Sequence, residues 1–229
     1  MDDLFSGQGI EGQALDRSAI ERLAGSGRQH LTECDLEDAD LSRLDLTGWT
    51  FERCNLRRMN FSGARLEATG WQSCRGAFAD FSAADLAEAR FTSCDLNNSS
   101  LRGAVLTSAK FARCKLTGAD LSEARALEAS FEETLLINAK MPRWSFRKGV
   151  LEKLDFSQAD LRNADFRHAT FNDCSLRDAV LAGSRFDGAD LRGADLGGIK
   201  LVDASLFRGA TISREQAGQL LGELGLNVR

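Results

Sequence analysis

Tyrosine is absent from this 229-residue chain, proline occurs once (Pro142), and histidine twice (His30 and His168). No apolar run approaches the roughly 20 residues that a membrane-spanning helix needs, so no membrane association is expected. The N-terminus, MDDLFSGQGIEGQ, carries acids where a secretion signal carries basic residues, and it has no apolar stretch. The expected compartment is therefore the cytoplasm. Excess positive charge is missing too: 34 acids against 29 lysines and arginines give a net charge of -5. That balance argues against direct nucleic-acid binding. No Cys-x-x-Cys pair occurs, so the six cysteines lack the spacing of a zinc site.

What is present is a period. Every fifth residue from Leu31 to Leu206 gives 36 positions, of which Leu fills 21 and Phe 11. Trp71 and Met141 are also large and apolar, and only Gly76 and Ala126 are small. No α-helix or simple strand repeats at five. Two residues before each such position lies a second regular site, usually small, as in Ala39, Ala64, Ala79, Ala84, Ala104 and Ala119. Asp often stands between the two, as at Asp40, Asp80, Asp120 and Asp160. The motif reads A-D-L-x-x, with the register expected to hold through Leu206.

This motif resembles that of the pentapeptide-repeat family. The resemblance implies a right-handed quadrilateral β-helix: each quintet makes one side, four make a coil, and the large and small residues point inward. Thirty-six quintets predict about nine coils, and strands about 4.8 Å apart make them about 43 Å long. The expected organisation is a cap at 1–28, the β-helix at 29–208, and a capping and dimerising segment at 209–229.

A 20-residue coil makes its own prediction, since positions 20 apart should stack. Cys34, Cys54, Cys74, Cys94, Cys114 and Cys174 fall on one such grid, at the small inward site of one side. Phe51, Trp71, Phe91, Phe111, Phe131 and Phe171 share a second column; Phe146, Phe166 and Phe186 share a third. These columns form the expected core. The cysteines read as small buried hydrophobes. Disulfides between stacked neighbours are conceivable at about 4.8 Å, but a reducing cytoplasm argues against them.

Both flanks contain helix signals, and a β-helix needs covers over its raw strand edges. Asp16 is placed to N-cap a helix through about Ala24, with Ile20 and Leu23 as its apolar stripe and Gly25 as the stop. Ser213-Arg214-Glu215-Gln216 is a capping box opening a helix through about Glu223. Ile212, Ala217, Leu220, Leu221, Leu224 and Leu226 supply more apolar surface than one coil end needs, and are the expected homodimer contacts.

No catalytic, cofactor-binding or metal-binding constellation is expected. The two histidines lie seven coils apart, and the cysteines point inward on a different side. The repeated Asp residues read as turn-forming groups. Within the family, the tail resembles the quinolone-resistance branch, in which a Gly-x-Lys-Leu segment precedes a Leu-rich helix. Here these are Gly198-Ile199-Lys200-Leu201 and Leu220-Leu221-Gly222-Glu223-Leu224-Gly225-Leu226. The stretch Cys74-Arg75-Gly76-Ala77-Phe78-Ala79-Asp80-Phe81 is similar as well. That resemblance implies a non-enzymatic dimer that imitates DNA, binds type II topoisomerase (DNA gyrase above all), and modulates or protects it against quinolones or a natural poison. The alternative is a scaffold protein with another partner. Candidate contacts are Asp80, Asp120, Glu123 and Asp160, together with Leu135 and Ile137, two apolar residues expected to face outward. The charge supports mimicry weakly: residues 29–208 hold 27 acids and 24 lysines or arginines, and no side exceeds a net of -2.

Overall fold

The computed structural model describes residues 9–198, 205–223 and 225–228. The chain is a β-solenoid of about nine turns with one helix near each terminus. Its contacts divide it into two compact units, residues 1–130 and 131–229.

In the first unit, short parallel strands stack in register. They are β1 (Gly9–Glu11), β2 (His30–Thr32), β3 (Thr50–Glu52), β4 (Gly70–Gln72), β5 (Arg90–Thr92) and β6 (Lys110–Ala112). From β2 onward each residue pairs with the one four quintets later, as in Leu31↔Phe51, Phe51↔Trp71 and Phe91↔Phe111. The other three sides stack through single bridges such as Asp40↔Asn60 and Asp45↔Arg65. Each side ends in a left-handed residue two positions after the large inward one: Glu33, Asp38, Arg43, Gly48 and so on. At most corners the amide three residues after the large residue bonds back to its carbonyl, as from Ala39 to Leu36 at 3.1 Å. Short sides therefore follow from the turns, and the five-residue period follows from the short sides.

The core of this unit is a set of stacked columns. Phe51, Trp71, Phe91 and Phe111 stack with their ring planes nearly parallel, with centroids 4.2, 5.4 and 4.8 Å apart. Phe61 and Phe81 stack beside them and meet Trp71 edge-on at 5.4 and 5.9 Å. The buried Trp71 indole N–H donates to Thr69 Oγ1 at 2.9 Å, which keeps its one polar atom satisfied. Gly76 stands where a large residue is usual, and Leu96 takes the space: a Cβ on Gly76 would come within 2.9 Å of Leu96 Cδ2.

The solenoid begins inside the segment expected to be a cap. Strand β1 pairs with β2 as Gly9↔His30, an interval one position longer than four quintets. Ile10, Leu15 and Ile20 then recur at every fifth position, and Leu15 and Ile20 are buried. Helix α1 (Arg17–Ala24) follows the Asp16 cap, whose carboxylate accepts from the Ala19 N–H at 2.8 Å. The helix stops at Gly25 as expected, but not in the left-handed conformation usual for a glycine stop. Gly25 is right-handed, with φ of -65°, and the left-handed glycine is Gly27, at +92°.

In the second unit, β7 (Ser130–Glu132) opens at the division. Strand β8 (Val150–Glu152) pairs with β9 (Thr170–Asn172), and β10 (Cys174–Ser175) with β11 (Ala194–Asp195). The aromatic stack of this unit occupies a different quintet of the coil: Phe146, Phe166 and Phe186 lie 5.1 and 4.9 Å apart. Trp144 is accommodated at a small inward site against Phe131 and Phe146. The register does not run unbroken to Leu206. Asp190 pairs with Thr211, again one position beyond four quintets, and the ring that stacks on Phe186, at 4.6 Å, is Phe207.

Helix α2 (Arg214–Glu223) is opened by the capping box: Gln216 N–H donates to Ser213 Oγ at 3.1 Å, and Ser213 N–H to Gln216 Oε1 at 2.6 Å. The buried Gln216 amide also donates to the carbonyls of Leu191 and Ala194, at 2.7 and 2.6 Å. One side chain thus starts the helix and ties it to the last coil.

Candidate partner-binding site

The inward residues are committed to packing. All six cysteines are buried and none is in a disulfide. Cys74 Sγ sits 3.5 Å from the Gln72 carbonyl and 3.2 Å from that of Phe51 in the coil before, and the other five make the equivalent pair of contacts. Burial pushes the thiols of Cys34 and Cys174 up. Cys74 is raised first by hydrogen bonds with the thiols of Cys54 and Cys94, then by burial. Phe51, Trp71, Phe91, Phe111, Phe131 and Phe171 are buried as well. No group of three or more metal-ligating side chains converges among the described residues. No described helix is long and apolar enough to cross a membrane.

Function is therefore sought on the outward positions. The repeated Asp stands at the start of a side and accepts the amide two residues on: Asp40 from Ser42 at 2.9 Å, Asp80 from Ser82 at 2.8 Å, and Asp120 from Ser122 at 2.9 Å. The turn consumes one carboxylate oxygen and leaves the other to its surroundings. At three aspartates of the second unit an arginine takes that other oxygen. Arg162, Arg167 and Arg192 each grip the Asp two residues earlier with both Nε and Nη2, at 2.5–2.9 Å. These guanidinium bonds hold the carboxyls of Asp160, Asp165 and Asp190 below the usual range. In the first unit Asp80, Asp85 and Asp95 make no ion pair among the described residues.

The expected contact residues thus divide. Asp80, Asp120 and Glu123 lie in the first unit, and Arg102 pairs with Glu123 at 2.6 Å. Asp160 lies in the second, covered by its own arginine. Leu135 is 37% exposed beside the half-buried Ile137, both in the second unit. Of the expected dimer contacts, Ile212, Ala217 and Leu220 are half-buried, Leu221 is 38% exposed and Leu226 54%. Leu224 and the Ile199-Lys200-Leu201 part of the tail motif lie outside the described residues.

Phe78 is absent from the sequence-based candidates. It is 55% exposed and occupies a corner with φ of +63°. The residues at the equivalent corners are Gly, Ala or polar. The signal is present in the sequence as a lone aromatic in an otherwise polar or small column.

Among solved structures, the chain is similar over 95% of its length to 97% of QnrB1, a plasmid-mediated fluoroquinolone resistance protein, at 23% identity and a TM-score of 0.64. It is also similar to HetL, a pentapeptide repeat protein involved in heterocyst differentiation regulation from the cyanobacterium Nostoc. There the identity is 26%, the TM-score 0.51, and the coverage 82% of this chain and 90% of that one. No curated protein matches the chain significantly. The model of the pentapeptide repeat region matches residues 27–101 and 45–121. That of pentapeptide repeats in eight copies matches four stretches between residues 114 and 206. Joined to the stacked four-sided coils, these matches place the chain in the pentapeptide-repeat family.

Proposed function

We propose that this protein is a non-catalytic, DNA-imitating binding module that engages a type II topoisomerase, DNA gyrase above all, and modulates or protects it against quinolones or a natural gyrase poison. The observation that carries the reading is the C-terminal helix. Gln216 fastens one side of α2 to the last coil. Leu221 on the helix and Leu226 and Val228 just beyond it are exposed apolar residues. An isologous pairing of two such ends would bury that surface and hide the strand edge in one step. End-to-end likeness to a fluoroquinolone resistance protein supports the same reading.

A second reading, a scaffold that binds another protein, is favoured by the arginine clamps, which neutralise three of the second unit's 14 acids. Purified protein in a gyrase supercoiling assay, with and without a quinolone, separates the two. The topoisomerase reading expects altered supercoiling or relief of drug inhibition at micromolar protein, and no effect at any concentration overturns it. Sedimentation tests the dimer: wild type should run as a dimer, and Leu220→Asp with Leu224→Asp as monomer or aggregate. A monomeric wild type at micromolar concentration overturns the dimer.

A further inference from the structure

Phe78 is costly where it stands. A left-handed backbone crowds any side chain with a Cβ, and bulky residues most of all. The stacked corners offer cheaper solutions: Asn98 one coil on and Gly118 two coils on. Nothing in the coil requires an aromatic there, because the bond this residue makes to the next coil, Phe78 N–H to Asn97 O at 2.9 Å, is available to any residue but proline. The ring is also mostly in water, so it contributes little to the core.

The face beside the ring is built from short polar groups, an arrangement that recurs at Asp155, Ser157 and Ser175 in the second unit. The next side begins with Asp80, bridged on either hand to Asn60 and Ser100. Ser62 donates its amide to Asn60, Ser82 donates its own to Asp80, and the Ser82 and Ser100 hydroxyls meet at 2.7 Å. Short polar side chains make this face low in relief, and the ring stands at its edge. The unit that carries it holds 20 acids and 15 lysines or arginines, whereas the other unit holds 14 of each. The whole net charge of the chain therefore belongs to the Phe78 unit.

We infer that Phe78 is the anchor by which the first unit docks, through its carboxylate-and-hydroxyl face, onto a positively charged protein surface with an apolar pocket, of the kind that otherwise holds DNA. Charge complementarity selects and steers the partner, and the aromatic supplies the buried contact. This rests on the topoisomerase reading and names the part of the chain that makes the contact.

Binding of purified gyrase is measured for wild type, Phe78→Asn, Phe78→Leu and Val150→Asn, with thermal melts of each. Asn tolerates the left-handed corner, so Phe78→Asn should keep the fold, with Tm falling by no more than about 3 °C. It should weaken binding about tenfold or more, while Phe78→Leu stays within about threefold of wild type. Val150→Asn changes an exposed apolar residue of the second unit and should leave binding within about twofold. Equal binding by wild type and Phe78→Asn overturns this inference and leaves the topoisomerase reading standing. A larger fall in Tm for Phe78→Asn also overturns it, by assigning the ring to the fold. Absence of wild-type binding overturns the topoisomerase reading and this inference with it.

Discussion

The two units build the same four-sided coil, yet they treat the same aspartate differently. In the first unit Asp40, Asp80 and Asp120 are followed two residues later by Ser42, Ser82 and Ser122. In the second, Asp155 is still followed by Ser157, but Asp160, Asp165 and Asp190 are followed by Arg162, Arg167 and Arg192. The fold needs only the carboxylate oxygen that receives the turn amide. The residue two positions on is spare, and there the surface is either left anionic or neutralised. Core and surface can thus vary independently, because the inward pair of each quintet carries the packing and the outward three carry the charge.

The interiors differ as well. Aromatics in the first unit stack beside the cysteine column, and those in the second stack on another quintet of the coil. Phe91→Ala and Phe166→Ala should nevertheless cost about the same, roughly 3–5 kcal/mol each, since both rings are buried between stacked neighbours. Urea unfolding checks this, and a cost below about 1 kcal/mol at either site would mean that the two stacks are not equivalent supports.

Gln216→Ala should cost about 1–3 kcal/mol by leaving the Leu191 and Ala194 carbonyls without their donor. Its effect should fall on α2, seen as loss of helical signal before the main melt. No change in either quantity would remove the amide's tying role. Ser99→Ala should be neutral or stabilising by up to about 1 kcal/mol, because the buried Ser99 hydroxyl has no hydrogen-bond partner among the described residues. A destabilisation of that size would reveal a bond that the hydroxyl makes.

The smallest effect should come from the clamps. The carboxyls of Asp160, Asp165 and Asp190 are lowered in the folded protein. Their contribution is therefore present above the unfolded aspartate value, about 3.9, and disappears as pH falls through the lower folded values. Arg162→Gln should remove one such contribution, a small one because the pair is exposed to solvent and screened. The loss should be seen at pH 7 and vanish in strong acid. A pH-independent effect would show that Arg162 acts by packing alone.

Much of this architecture was legible because the inward positions repeat without regard to local helix or strand preference. Leu31 through Leu196 hold one phase, and the 20-residue sorting of Cys54, Cys74 and Cys94 announces four sides before any coordinate is known. The first partial coil was not legible. Ile10, Leu15 and Ile20 keep the spacing but lie one residue out of phase with Leu31, so from sequence α1 reads as part of a separate cap. The C-terminal slip hides in the same way, since Leu206 and Phe207 are both suitable fillers and only stacking on Phe186 distinguishes them. The capping box predicts Gln216 at the helix start, but which carbonyls its amide reaches depends on how the helix sits. The strain at Phe78 required a backbone angle.

At both ends of the regular coil the pairing interval lengthens by a single position, at Gly9↔His30 and again at Asp190↔Thr211. Each added residue behaves like a dislocation in a one-dimensional crystal. A lattice in which every layer templates the next has no internal reason to stop, and identical layers would let separate molecules join as a growing filament. One surplus residue breaks the translation symmetry, so a copy arriving at that face meets a terrace offset from its own. Turn number thereby becomes a boundary condition written into spacing. Evolution can lengthen or shorten the coil by whole layers between the two faults without reopening its ends.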